Sequence, residues 1–220
     1  KTGGTAIKNY VKDNSECGLH VHKNHAITLA HSGPGTMFTI RDPIERFCSG
    51  FWGRKNYELR KELSLLDENK PYYVGGIAHT DFEKNIFEQI PTPNDFITKL
   101  RTDENFRKEF DENTSPLNLV TKSLTFWLGG PSKYKVLETN VVLAVELKDL
   151  TAALKKYFNI EIENQSAFKS RSKSQFNFEQ SYEVSFANRE WFKDYYKPAD
   201  YELIDYIKSR KYFARIAAED

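Results

Sequence analysis

The sequence predicts an α/β fold, a central parallel sheet flanked by helices, in a single domain spanning residues 1–220. Two observations carry that expectation. Strand-like segments alternate with helical ones along the chain, which is the order that parallel sheets require. A glycine turn feeding a helix stands at the start, and such a turn is a natural phosphate site. With 220 residues the chain is long enough for a substantial core. Its 32 Lys and Arg against 31 Asp and Glu leave a net charge of +1. No global field therefore points to nucleic acid or to a membrane surface.

The first element is "KTGGTAI". Gly3 and Gly4 let the backbone approach an anion closely, Thr2 and Thr5 supply hydroxyls, and Lys1 supplies a charge. Ile7, Tyr10 and Val11 follow at helical spacing, so the loop opens onto a helix whose first amides lack intrahelical partners. A Walker A loop would instead end in Gly-Lys-Ser/Thr. A threonine-capped helix after a Gly-Gly turn fits the same residues. A phosphate loop is fed by a strand, so a strand is expected ahead of Lys1.

"HAITLAHS" (25–32) reads as a short strand and "TMFTIRD" (36–42) as a second. Asp42-Pro43 then starts a helix, with Asp as cap and Pro at the first position. That helix is expected to reach about Leu63, with Gly50 and Gly53 as weak points. Arg54, Lys55, Arg60 and Lys61 read as its exposed face, with an acceptor groove as the alternative. Residues 64–131 read as a charged helical insertion. "YKVLE" and "NVVLAVEL" look like two more strands. "LKDLTAALKKYF" is amphipathic, with Leu150, Leu154 and Phe158 on one stripe. A basic loop, "FKSRSKSQF", precedes a closing helix, "PADYELIDYIKSRKYF". No apolar run reaches the roughly 18 residues of a spanning helix. Cys17 and Cys48 are too few for a disulfide framework and read as buried or half-buried thiols.

A second functional stretch is "TIRDPIERFCSGFW". Arg41 falls at the carboxyl end of a strand, where open α/β sheets hold their ligands. Ser49 follows about two turns into the next helix. An arginine fork and a helix hydroxyl suit a second phosphate. Pairing of Arg41 with Asp42 or Glu45 is the purely structural alternative.

Together the two stretches resemble the carbohydrate-type sulfotransferases that use 3'-phosphoadenosine 5'-phosphosulfate (PAPS). That family's Lys-Thr-Gly-Gly-Thr-Ser-like loop is matched by Lys1, Thr2, Gly3, Gly4, Thr5 and Ala6, with Ala6 in place of the usual serine. Its Arg-Asp-Pro-x-x-Arg-x-x-Ser motif is matched by Arg41, Asp42, Pro43, Arg46 and Ser49. The resemblance implies a P-loop-NTPase-like sheet. It also implies a 5'-phosphosulfate site at the first loop and a 3'-phosphate site at Arg41 and Ser49. More faintly, "VLAVELKDLTAALKKYF" looks like the family's late strand, acidic-leucine turn and helix, and "YYKPADYELIDYI" is similar to its closing segment. Residues 64–131 match no part of the pattern, so the resemblance spans about two-thirds of the chain.

The implied reaction is transfer of the sulfuryl group to a hydroxyl, leaving 3',5'-ADP (PAP). Lys1 is placed to steady the departing oxygen. A base must take the hydroxyl proton. Four of the 5 histidines, His20, His22, His25 and His31, cluster between the two motifs. His25 lies where related sulfotransferases carry a histidine at the start of the second strand and is the expected base, with His20 and His22 as alternatives. Cys17, His20, His22 and His25 also have the donor types of a metal site, although the family needs no metal. Arg171, in the late basic loop, is expected to reach the 3'-phosphate, with a solvated face as the alternative.

The motif spellings favour a glycan acceptor over a small phenol. Aromatics make up 14% of the chain, Trp52, Trp127 and Trp191 among them, and flat rings suit sugar faces. The compartment follows from the family: cytoplasmic for a bacterial member, Golgi lumen for a eukaryotic catalytic domain, with membrane attachment only through sequence before Lys1. A P-loop kinase and a binding module that has lost the chemistry are the rival readings.

Overall fold

The computed structural model describes residues 35–57, 78–128, 130–160 and 181–214. Among these the chain is mixed α/β and mostly helical, with a small parallel sheet. It divides into two compact units. The described parts of one are 35–42, 123–128, 130–160 and 199–214; those of the other are 43–57, 78–122 and 181–198.

The sheet belongs to the first unit. Strand β1 (Thr36–Ile40) pairs in parallel with β2 (Val141–Glu146), from Thr36 opposite Val141 to Ile40 opposite Glu146, with a register shift after Thr36. On the other edge of β2, Ala144 bridges in parallel to Phe213: Ala144 N donates to Tyr212 O at 2.9 Å and Ala214 N to Ala144 O at 2.9 Å. β2 is therefore central in the described sheet, and the consecutive burial of Leu143, Ala144 and Val145 fits a strand covered on both faces. One face packs Ile40, Val141 and Ala144 against Leu137, Leu203 and Ile207. Another cluster joins Leu143 and Val145 to Leu150, Ala153, Leu154 and Ile160.

Apart from Ile160, which follows α8, those partners come from helices α7 (Lys133–Asn140), α8 (Leu150–Phe158) and α10 (Pro198–Lys208). α8 ends at Asn159, whose φ of 53° is the left-handed cap that Asn tolerates. The short α6 (Leu124–Trp127) is capped from a distance by the buried Asp200, whose carboxylate accepts from Leu124 N at 2.8 Å and Thr125 N at 3.1 Å.

The second unit is helical. It contains α1 (Pro43–Lys55), α2 (Asp81–Gln89), α3 (Pro93–Thr102), α4 (Glu104–Glu112), α5 (Pro116–Val120) and α9 (Phe186–Trp191), which runs into a π-helical turn (Phe192–Tyr196). Its interior is aromatic. Phe47 stacks on Phe96 with centroids 5.6 Å apart and meets Phe192 edge-on at 5.3 Å, and Phe96 meets Phe110 edge-on at 5.0 Å. Thr92, Asp103 and Ser115 each cap the helix that follows them through a side-chain oxygen.

Several sequence expectations need correction. "YKVLE" is helix, not strand: Val136 and Leu137 are both buried while Tyr134, Lys135 and Glu138 face solvent. A strand turns adjacent side chains to opposite faces, whereas a helix can bury two neighbours on one side. The closing helix stops at Lys208 instead of running to Phe213, because residues 212–214 leave it to pair with β2. Phe158 is 37% exposed and lies off the buried stripe, where Ala153 stands instead. α1 ends at Lys55, short of Leu63. The strand expected at 25–32 and the first helix lie outside the described residues.

Candidate functional site

The Arg-Asp-Pro stretch sits where the sequence places it, between a buried strand end and a helix start. Ile40, the last residue of β1, is 2% exposed and opposite Glu146; Arg41 follows it, half-buried, and Asp42 is exposed. Pro43 is the first residue of α1.

The carboxyl ends of β1 and β2 gather charge within the first unit. Glu146 Oε1 accepts from Lys208 Nζ at 2.6 Å and Oε2 from Lys148 Nζ at 2.9 Å. The two lysines, Lys208 first, hold the Glu146 carboxyl below the usual carboxylate range. Lys208 arrives from the far end of α10 and Lys148 from the 3₁₀ turn after β2. Sequence reasoning did not single out either lysine. Only the acidic-leucine turn at Glu146-Leu147 gave a signal for Lys148, and nothing local signals Lys208, 62 positions after Glu146 by the numbering.

In the second unit the rest of the motif folds into α1. Ser49 is buried at 6% exposure. Arg46 donates from Nη2 to the carbonyl of Lys122, so this motif arginine ties α1 to the end of α5. Gly50 lets the same two helices approach: a Cβ there would stand 3.2 Å from the Val120 carbonyl oxygen and 3.2 Å from the Thr121 methyl. Gly50 is a packing residue rather than a weak point. Cys48, beside Ser49, is a fully buried thiol, as expected.

Two basic residues of α1 depart from the exposed face read for them. Arg54 is 6% exposed and makes a two-point pair with Glu83, whose residue exposure is 0%. Lys55 donates to the carbonyls of Ile90 at 3.1 Å and Pro91 at 2.8 Å, and burial lowers its ammonium pKa. Of the three tryptophans, Trp52 is buried and donates from Nε1 to Ser181 O at 2.8 Å, while Trp191 stacks on Tyr196 at 5.2 Å.

Arg41 and Ser49 fall in different units, and each is positioned by its own unit. Lys1, Thr2, Gly3, Gly4, Thr5, Ala6, His20, His22, His25, His31 and Arg171 lie outside the described residues. Among the described residues no group of three or more His, Cys, Asp or Glu is arranged to hold a metal. Among them too, no helix is long and apolar enough to cross a membrane.

No family model matches the chain, and no match to it is found among the curated proteins or the solved structures.

Proposed function

We propose that the chain is a PAPS-dependent sulfotransferase acting on a hydroxyl, with a carbohydrate as the acceptor class. The observation that carries the reading is the placement of Arg41 directly after the buried last residue of a parallel strand and two residues before a helix. That is the setting in which open α/β sheets grip ligands. β1 and β2 are in this reading part of a larger P-loop-like central sheet.

In this reading Arg41, at the strand end, is the arginine that takes the nucleotide's 3'-phosphate; Ser49, the motif's second contact, is buried in the helix that follows and would have to become accessible to reach it. Lys148 and Lys208 add positive charge at the same strand ends. The nucleotide supplies the sulfuryl group when bound. His25 takes the acceptor proton as the hydroxyl oxygen forms its bond to sulfur. Lys1 stabilises the charge that grows on the bridging oxygen as the old sulfur–oxygen bond breaks. Thr2, Gly3, Gly4, Thr5 and Ala6 orient the 5' end, and Arg171 completes the 3' grip. The reaction asks nothing of a metal in this scheme.

Calorimetric titration with 3',5'-ADP and with ATP tests the reading. Tight binding of the first and much weaker binding of the second is expected; equal affinities overturn the assignment.

A further inference from the structure

The two ends of the small sheet differ in what they present. Arg41, Glu146, Lys148 and Lys208 gather at its carboxyl ends. At the amino end of β2, Val142 stands 57% exposed between two buried neighbours, Val141 and Leu143. The parallel bridge of Ala144 to Phe213 sets Lys211, two residues before Phe213, alongside Val142, two residues before Ala144. Arg210 stands next to it and pairs with Glu138, from the last turn of α7, at 3.3 Å.

α8 brings a second group to that end. The 3₁₀ turn Leu147–Asp149 reverses the chain after β2, and α8 runs back along the sheet with Leu150, Ala153 and Leu154 packed against Leu143 and Val145. Burial within the helix stops there. Lys155, Lys156, Tyr157 and Phe158 are all exposed, so the last turn of α8 projects past the packed layer on every side. Lys156 Nζ lies 5.6 Å from the centre of the Tyr157 ring, so cation and aromatic share one surface. α8 holds two lysines and no acid. Arg210 and Lys211 add two more cations at this end, and Glu138 offsets one of them. The chain's net charge of +1 gives no overall field, so attraction to an anionic surface has to be local, and this end supplies it. Four cations alone would suit any polyanion. Exposed Val142, Tyr157 and Phe158 among them favour a bilayer surface, where lysines meet the anionic headgroups while the rings and the valine enter the headgroup layer.

We propose that the amino end of the sheet docks the protein peripherally on an anionic lipid surface, through Lys155, Lys156 and Lys211 together with Val142, Tyr157 and Phe158. The carboxyl ends of β1 and β2 then face away from the lipid and stay open to solutes. The proposal does not rest on the transfer reading, since none of these residues belongs to the nucleotide motifs. The test is sedimentation of the full chain with vesicles of phosphatidylcholine alone and of phosphatidylcholine mixed with phosphatidylserine, at low and high salt. Binding to the mixed vesicles only, released by high salt, is expected. The double variant Lys156→Ala/Lys211→Ala should weaken it about 30-fold, and Tyr157→Ser/Phe158→Ser about tenfold. Lys193→Ala, at an exposed lysine of the helical unit, should leave it unchanged. Thermal melts check that each variant is folded, and the two lysines are exposed, so their truncation spares the core. The proposal is overturned if no vesicle is bound, if phosphatidylcholine alone binds as well, or if both double variants bind as the parent does. It is overturned equally if single-stranded oligo-dT binds in a way that Lys156→Ala/Lys211→Ala abolishes while vesicles do not bind. Titration with 3',5'-ADP reports on the other end of the sheet, so the two readings fail separately.

Discussion

Arg54 and Glu83 meet through two hydrogen bonds of 2.8 Å, Nε to Oε1 and Nη2 to Oε2, with the carboxylate wholly out of solvent. The same carboxylate accepts from Thr80 N at 3.0 Å and from Leu117 N at 2.8 Å. One side chain thus closes the capping box of α2, caps α5 and neutralises the arginine of α1. Removing one partner of a buried pair leaves the other charge stranded, at a cost of about 3–5 kcal/mol. Glu83→Ala should lose stability on that scale in urea unfolding. The double variant Arg54→Met/Glu83→Leu should lose less than the two single variants summed. Simple additivity would show that the pair is not coupled.

Gly50→Ala sets two effects against each other. Alanine is better than glycine in a helix by about 0.8–1 kcal/mol. The new methyl would stand 3.2 Å from the Val120 carbonyl oxygen, a backbone atom that cannot move away by a rotamer change. Overpacking costs roughly 1–3 kcal/mol, so a net loss of stability is expected. A rise in melting temperature would show that α5 yields easily.

The charges at the strand ends give stability a pH dependence. Lys208 and Lys148 hold the folded-state pKa of Glu146 below its unfolded value of about 4.3. The contribution is therefore present above that unfolded value and is lost as pH falls through the depressed folded one. Both lysines keep much of their surface in water (side chains 75% and 40% exposed), so these ion pairs are worth about 0–1 kcal/mol each and weaken with salt. Glu146→Gln should flatten part of the acid limb of a stability–pH curve at low ionic strength. An unchanged limb contradicts the assignment.

Much of this molecule was legible in the chain. Asp42-Pro43 marks the helix start, and the alternating "TMFTI" and the apolar "VVLAV" mark the parallel strands. The errors have physical sources. "YKVLE" is too short for periodicity to separate strand from helix, and its state is decided by which neighbours bury Val136 and Leu137. Arg54 reads as a surface charge because its partner is 29 positions away by the numbering. The Thr80-x-x-Glu83 spacing does announce a helix start, but nothing in it announces an ion pair. Of the candidate site, sequence placed Arg41 and Ser49 on a strand end and a helix and left Lys208 unseen, since that contact exists only once α10 has packed.

Within the transfer reading, His25→Ala should lower kcat by about 10²–10⁴ and leave nucleotide affinity nearly unchanged, because a general base acts only in the transition state. The same kinetic pattern in His20→Ala or His22→Ala, and not in His25→Ala, would reassign the base.

Arg41→Ala should weaken 3',5'-ADP binding roughly 10- to 150-fold, the loss of one charge-assisted contact of about 1.5–3 kcal/mol. Lys148→Ala, at a side chain 75% exposed, should weaken it less. Equal affinities for the parent and Arg41→Ala would remove Arg41 from the site.

The central claim is sulfuryl transfer, and it is tested most directly by following label from sulfur-labelled PAPS into a panel of polysaccharides and simple phenols. The account predicts labelled polysaccharide, release of 3',5'-ADP in equal amount, and sharply reduced transfer with Arg41→Ala and His25→Ala. Label appearing on phenols alone would contradict the carbohydrate assignment. Absence of label from every hydroxyl tested, with ATP instead supporting phosphoryl transfer, would contradict the account as a whole.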